Sequence, residues 1–455
     1  MAIFRRIISV LCLPVAFFML ITGLSFVSAD RQKSREAETE KAVSEDFKPI
    51  FRFAVASDIH INAGDSINPE RLKKLFTSAY RYADNHPTYK LLDAVVMTGD
   101  NCDTGSDAEY EILKNVINEN KRDETALVAI MGNHEFHETA HEGFVRHMQQ
   151  DLNPHVVIKG FHFIGISPSP SDTWQTPLQI NWMSAQLRKA AADDPDRPIF
   201  TMQHGHIWKT VYVSRSWYTQ MSLPLHMVYA RYPQIVNFSG HSHGPVNNPL
   251  NIWQNSYTQV GAGTLNYFEM ERDIGDDTVP EGSRNAAQYL IVEVDADNRV
   301  RIMPYNILTD DFMKTPATTD GDKQLIWQIN DVTDKKSFAY TSARKKTDGA
   351  PWFEAEDTVN IDSTADTSVT LSFPQAEDDE CVYGYRILLT DAAHPKETIK
   401  KEIYSEYYFE PMPERLSVTI DGLKADTAYD VTVTPLNVWL KEGDPIGCQF
   451  TSAAE

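Results

Sequence analysis

From Phe51 to Phe238 the chain repeats one pattern: a short apolar run that breaks off abruptly into Asp, Asn, Gly and His. The runs are Phe51–Ser57, Ala94–Met97, Leu127–Met131, Ile199–Met202 and Ile235–Phe238. Near-continuous apolar runs of this length suit strands covered on both faces. Between them, apolar residues recur at helical spacing over 69–85, 108–120, 139–150 and 178–192, with Pro69 well placed to start a helix. Hairpins are expected from 156–159 with 161–166, and from 287–295 with 299–304. Alternating strands and helices predict an α/β layered fold with a largely buried sheet. Chemistry in such folds gathers where strands end and loops begin.

Five polar motifs occupy those strand ends: Asp58-Ile-His60, Gly99-Asp100-Asn101, Gly132-Asn133-His134-Glu135, His204-Gly-His206 and Gly240-His241-Ser-His243. In extended backbone, residues two apart share a face, so Asp58 with His60, and His241 with His243, can each present two ligands to one point. Oxygen and imidazole donors suit Mn, Fe, Zn or Co. Each motif alone has a plainer explanation: a polar loop pair, a turn, a helix cap at Asn133, or a satisfied buried histidine at His204. All five in succession, each at a strand end, point to a metal site.

This series resembles the calcineurin-like metallophosphoesterases, whose pattern is Asp-x-His, Gly-Asp, Gly-Asn-His-Asp/Glu, His and Gly-His-x-His. The resemblance covers about residues 51–308 and implies a four-layer α/β/β/α sandwich with two metal ions between the sheets. Carried over position by position, Asp58, His60 and His243 would hold the first ion and Asp100 would bridge both. Asn133, His204 and His241 would hold the second. His134 would contact the phosphate and protonate the leaving oxygen. The implied reaction is hydrolysis of a small phosphate mono- or diester by a metal-bridging hydroxide. The alternative is a non-catalytic surface or adhesion protein on the same scaffold.

Some positions stay open. His204 and His206 compete for one ligand role, and the directness with which His204 follows its strand favours it. The purple acid phosphatase branch carries a tyrosine three residues after the bridging aspartate; here that position is Asp103. The full ligand set looks more like the bacterial branch containing cyclic-nucleotide and glycerophosphodiester phosphodiesterases. Cys102 reads as a packed thiol rather than a ligand. His137 and His141 read as surface residues, and Trp208, Tyr212 and Trp217 as core residues, with a pocket wall as the other possibility.

The flanks have different chemistry. Arg5 and Arg6 precede an apolar run to Val27, with small residues at 27–29, which suits an export signal over 1–29. An uncleaved membrane anchor is the alternative. Residues 30–48 read as a linker, 49–310 as the phosphoesterase domain and 311–349 as a polar connector. Residues 350–455 show short alternating strands and a Leu423…Tyr429 pattern that resembles a fibronectin type III module, implying a β-sandwich for spacing or for polymer or cell-surface contact. Cys381 and Cys448 lie in this module, and a bond between them is not favoured. The 42 Lys and Arg against 64 Asp and Glu give a net charge of −22, which argues against a nucleic-acid footprint. Residues 351–455 alone hold 21 acids and 7 bases, so the acidity is concentrated there.

Overall fold

The computed structural model describes residues 47–169, 175–274, 278–285 and 287–454. The expected signal and most of the linker lie outside them. The chain divides into Met1–Phe47 and one compact unit, Lys48–Glu455, which holds all the described strands and helices. Among the described residues, no helix is long and apolar enough to cross a membrane.

The elements run β1 (Pro49–Ala56), α1 (Ile67–Asn85), β2 (Ala94–Met97), α2 (Asp107–Asn120), β3 (Ala126–Ala129), α3 (Ala140–Met148), β4 (His155–Ile158) and β5 (Phe161–Ile166). They continue with α4 (Pro177–Asp193), β6 (Ile199–Gln203), α5 (Ser222–Tyr229), β7 (Ile235–Ser239), β8 (Ile252–Gln254) and β9 (Thr258–Gly261). Next come β10 (Gln288–Asp295), β11 (Val300–Asn306), β12 (Asp311–Phe312) and β13 (Trp327–Ile329). One sheet has the order β12-β11-β10-β1-β2-β3, with β13 also on β11; the other is β4-β5-β6-β7-β9-β8. β1, β2 and β3 run parallel, as do β5, β6, β7 and β9, so their carboxyl ends gather by sheet.

Side-chain alternation along the strands divides the core. Phe53, Val55 and Val96 pack with Phe163, Phe200 and Phe238 of the other sheet, with the Phe53 and Phe200 rings 4.6 Å apart. The intervening Ala54, Ala56, Val95 and Met97 pack with Leu72, Leu75 and Phe76 of α1 and Tyr110 and Leu113 of α2. Ile164, Ile166, Ile199 and Ile235 pack with Met183 and Leu187 of α4 and Leu225 of α5. Burying each large apolar side chain contributes about 1.5–3 kcal/mol. Helix starts are local: Ser106 and Thr176 each form a reciprocal capping box, with Glu109 and Gln179 respectively. The sequence pattern does not predict α5, β8 or β9. Pro224 and the all-round apolar character of α5 hide its period, and β8 and β9 are short and rich in Gln and Thr.

Residues 311–349, read as a connector, add β12 and β13 to the first sheet, and Trp327, Ile329 and Val332 join the core between the sheets. Beyond them lie two antiparallel sheets. Their strands are β14 (Asn360–Thr364), β15 (Ser368–Pro374), β16 (Val382–Asp391), β17 (Thr398–Tyr404), β18 (Arg415–Asp421), β19 (Ala428–Asn437) and β20 (Ile446–Thr451). The orders are β14-β15-β18 and β17-β16-β19-β20 around a core of Val369, Leu371, Phe373, Ile387, Leu389, Val431 and Val433. A separate cluster joins these sheets to the loops after β6, β7 and β9. The Tyr212 and Tyr383 hydroxyls are 2.8 Å apart, the Asn248 amide donates to the Tyr407 hydroxyl at 2.7 Å, and Tyr383 donates to Asp273 at 2.7 Å. Cys381 belongs to this cluster and Cys448 packs on the sandwich core; both are free thiols.

Candidate metal centre

The candidate ligands occupy backbone that ordinary side chains avoid. Asp58, His60, Asp100, His241 and His243 all have positive φ, between 49° and 71°. Left-handed non-glycine residues cost on the order of 1–3 kcal/mol each and persist only when the surroundings over-determine them. Here the loop after β1 is laced to the loop after β2: Asp58 N donates to Gly99 O at 3.1 Å, and His60 N to Asp100 O at 3.0 Å. The Asp58 carboxylate accepts His241 N at 2.9 Å, tying in the loop after β7. Gly99, at φ 106°, has no room for a Cβ, which would lie 2.6 Å from His204 Nδ1.

The loops after β2 and β3 are joined by a residue the sequence motifs left without a role. Glu135 is fully buried, and its carboxylate accepts Asn101 N at 2.6 Å, Cys102 N at 3.3 Å and Gly132 N at 2.8 Å. Burial, reinforced by Asp100, pushes its pKa up to about 7.

Two groups of potential ligands result: Asp58, His60 and His243, and Asp100, His204 and His241, each with donor atoms within 4.8 Å of one another. Asp100 joins them. Its Oδ2 is 3.0 Å from His204 Nε2 and 3.9 Å from His60 Nε2. Asp58 Oδ1 lies 3.2 Å from His243 Nε2. Burial alone would raise the pKa of both aspartates. The imidazoles outweigh it, His243 and His204 at Asp58, and His204, His60 and His134 at Asp100, so both carboxyls are held below their usual range.

The histidines are oriented from behind. His204 Nδ1 donates to Thr98 O at 2.9 Å, His243 Nδ1 to Tyr267 O at 3.0 Å, and His60 Nδ1 lies 3.2 Å from the Asp103 carboxylate. Each bond fixes the tautomer and turns Nε2 toward the carboxylates, as metal-ligating imidazoles require. Burial, with His204 nearby, pushes His241 down to about 3, so its lone pair is available near neutral pH. His206 is built differently: both ring nitrogens lie 2.6 Å from serine hydroxyls, of Ser239 and Ser242, and burial pushes it down to about 3. It braces the loop, whereas His204 faces Asp100.

The donor set fits cations. Asn133 Oδ1 is buried without a hydrogen-bond partner, a cost that a coordinated ion would remove. His134 stands at the mouth, its side chain one-third exposed, with N donating to Asp100 Oδ1 at 2.9 Å and Nδ1 to Asp103 O at 2.7 Å. It falls within ligand distance of His60 and Asp100 as well. The aromatic residues separate. Trp217 packs edge-on to His241 at 5.0 Å and Tyr267 lies 4.3 Å from His243, whereas Tyr212 is buried in the joint with the C-terminal sheets. Trp208 is exposed, with its ring 6.2 Å from that of Tyr218. Cys102 is buried and burial pushes its thiol pKa up, as packing rather than ligation demands. His137 is exposed, and His141 Nε2 lies 2.9 Å from Pro168 O. Asp103 lies in the Asp100 loop, whereas Tyr267 reaches the site through tertiary approach, for which the linear motifs hold no signal.

Residues 51–245 match the sequence model of the calcineurin-like phosphoesterase family. No curated protein matches the chain. Among solved structures, a β-sandwich protein from a computer-based redesign is similar over 23% of this chain and 96% of its own, at 13% identity and a TM-score of 0.18. A myokine structure is similar over 23% of this chain and 97% of its own, at 18% identity and a TM-score of 0.18.

Proposed function

We propose that the chain is a dinuclear metal-dependent phosphoesterase acting on a small phosphate mono- or diester. The observation that carries this is the convergence of Asp58, His60, Asp100, His204, His241 and His243 from four strand ends onto two adjoining donor groups, with the orphaned Asn133 Oδ1 next in sequence to His134, whose N–H bonds Asp100. Asp58, His60 and His243 would hold one ion, Asn133, His204 and His241 the other, and Asp100 both. Two such cations supply Lewis acidity toward phosphoryl oxygens and an acidified water as nucleophile.

The protein's own groups set up the rest. The Asp103 carbonyl holds the Nδ1 proton of His134, leaving Nε2 to face an incoming ester and to protonate the departing oxygen. Trp217 and Tyr267 flank the ligand histidines and offer apolar faces to an organic leaving group. Two aspartates cannot neutralise two divalent ions, so the loaded site is cationic and attracts phosphate.

The packing of helices and sheets supports the four-layer reading. The C-terminal strand orders support a fibronectin type III-like module, as does the Tyr429 hydroxyl, which accepts Lys424 N at 2.9 Å in the manner of a tyrosine corner. Export rests on the N-terminal sequence alone. The test is to measure bound metal on the purified protein and compare hydrolysis of a chromogenic phosphate monoester with its diester. Turnover of either by metal-loaded protein is expected. Failure on both, and on a panel of nucleotides and phospholipid head groups, would refute the reading.

A further inference from the structure

A second convergence of carboxylates lies where the connector meets the C-terminal sheets. Asp348 closes the short helix Arg344–Thr347, and Asp378 and Asp379 sit in the turn between β15 and β16. Their nearest carboxylate oxygens lie within 4.8 Å of one another. Asp348 is 4% and Asp378 0% exposed.

Most hydrogen-bonding capacity around them is accounted for. Asp378 Oδ1 accepts Glu380 N and Cys381 N, both at 2.7 Å, and Asp348 takes the Asn437 amide on Oδ2 at 2.5 Å. The remaining oxygens, Asp348 Oδ1 and Asp378 Oδ2, are buried and have no hydrogen-bond partner. A buried carboxylate oxygen left in this way is costly. The charge is unbalanced too. Asp348 feels Asp378, Glu380 and Asp379, against Lys441, whose ammonium bonds the Asp348 carbonyl. Arg344 is a second nearby cation, 3.6 Å from Glu380. Around Asp348, burial and the repulsion of three carboxylates together outweigh the pull of Lys441.

We propose that Asp348, Asp378 and Asp379 form a calcium site that fastens the connector to the C-terminal sheets. The donors are all oxygen, with no imidazole or thiolate in the group of three, which selects a hard cation over the transition metals suited to the histidine cluster. One divalent ion would relieve the repulsion at Asp348 and give both orphaned oxygens a partner. Burial and mutual repulsion push Asp348 up to about 8 and Asp378 to about 6, the cost that a cation would relieve. Thr318 reinforces the same joint from the connector side, with its N–H and hydroxyl both directed at the Asp378 carbonyl.

The experiment is equilibrium binding of radioactive calcium to the full chain, already saturated with transition metal, in buffer stripped of calcium. One calcium per chain is expected in the native protein and in Asp58→Asn. Asp348→Asn and Asp378→Asn should each weaken it by more than about tenfold while leaving phosphoesterase activity unchanged. Both substitutions are nearly isosteric and relieve repulsion, so the variants should melt no lower than calcium-free native protein. No bound calcium would overturn the proposal, with the carboxyls then sharing protons instead. Calcium lost with Asp58→Asn, or retained in Asp378→Asn, would also overturn it.

Discussion

The two carboxylate clusters of this chain are both buried, yet they are poised in opposite senses. Asp58 and Asp100 are surrounded by imidazoles and held below the usual carboxylate range; Asp348 and Asp378 face other carboxylates and are pushed above it. Burial acts the same way on all four, so the neighbours decide. The first cluster stays ionised with protonatable imidazoles beside it and is suited to exchangeable transition metals. The second resists ionisation until a hard cation arrives. Proximity of acids alone therefore does not identify what a site binds.

The contrast can be broken most severely at the histidine cluster. Asp58→Asn or His204→Ala should lose bound transition metal, measured by elemental analysis. kcat/KM should fall by at least about 10³-fold, since metal assistance is worth several kcal/mol. Next, His134→Ala should retain metal and lose about 10²-fold or more in turnover, most with poor leaving groups. Metal loss in that variant would move His134 into the ligand set. Asp103→Asn, which leaves the His60 ring without its carboxylate, should weaken metal affinity by about 10- to 100-fold, read by competition with a chelating dye.

The smallest effect concerns the other cluster. Because folding raises the Asp348 and Asp378 pKa values, the folded chain binds more protons than the unfolded one. Stability in calcium-free buffer should therefore fall as pH rises from about 4 toward about 8. The shift should be a few degrees in Tm, and Asp348→Asn should flatten it. A Tm that rises over this window in the native protein but not in the variant would reverse the sign of the comparison.

The histidine cluster is legible in the sequence because each candidate ligand comes within a few residues of its strand's end, as His204 comes after Ile199–Gln203. Strand ends in parallel sheets converge, so linear order translates into proximity. Other features are not legible. The left-handed φ at Asp58 or His243 is imposed by hydrogen bonds between loops far apart in sequence. Tyr267 and Trp217 arrive from loops without regular period. In the C-terminal sheets, the edge strands β14, β17 and β20 leave a weaker trace because their inward side chains are only partly buried, whereas the central β16 and β19 bury theirs fully. The Asp348–Asp378 pairing depends on how the connector docks, and no local pattern encodes that.

The placement of β12 and β13 bears on how this protein could be cut down. Val300–Ile302 pair with Trp327–Ile329, and Tyr305 and Asn306 with Phe312 and Asp311, so later chain covers the outer edge of β11. A fragment ending near Leu308 would keep every side chain of the histidine cluster but bare that edge as a row of unpaired amides and carbonyls. Bare edges recruit other strands. Such a fragment should self-associate rather than remain monomeric, and the shortest well-behaved piece carrying the histidine cluster must extend past Ile329.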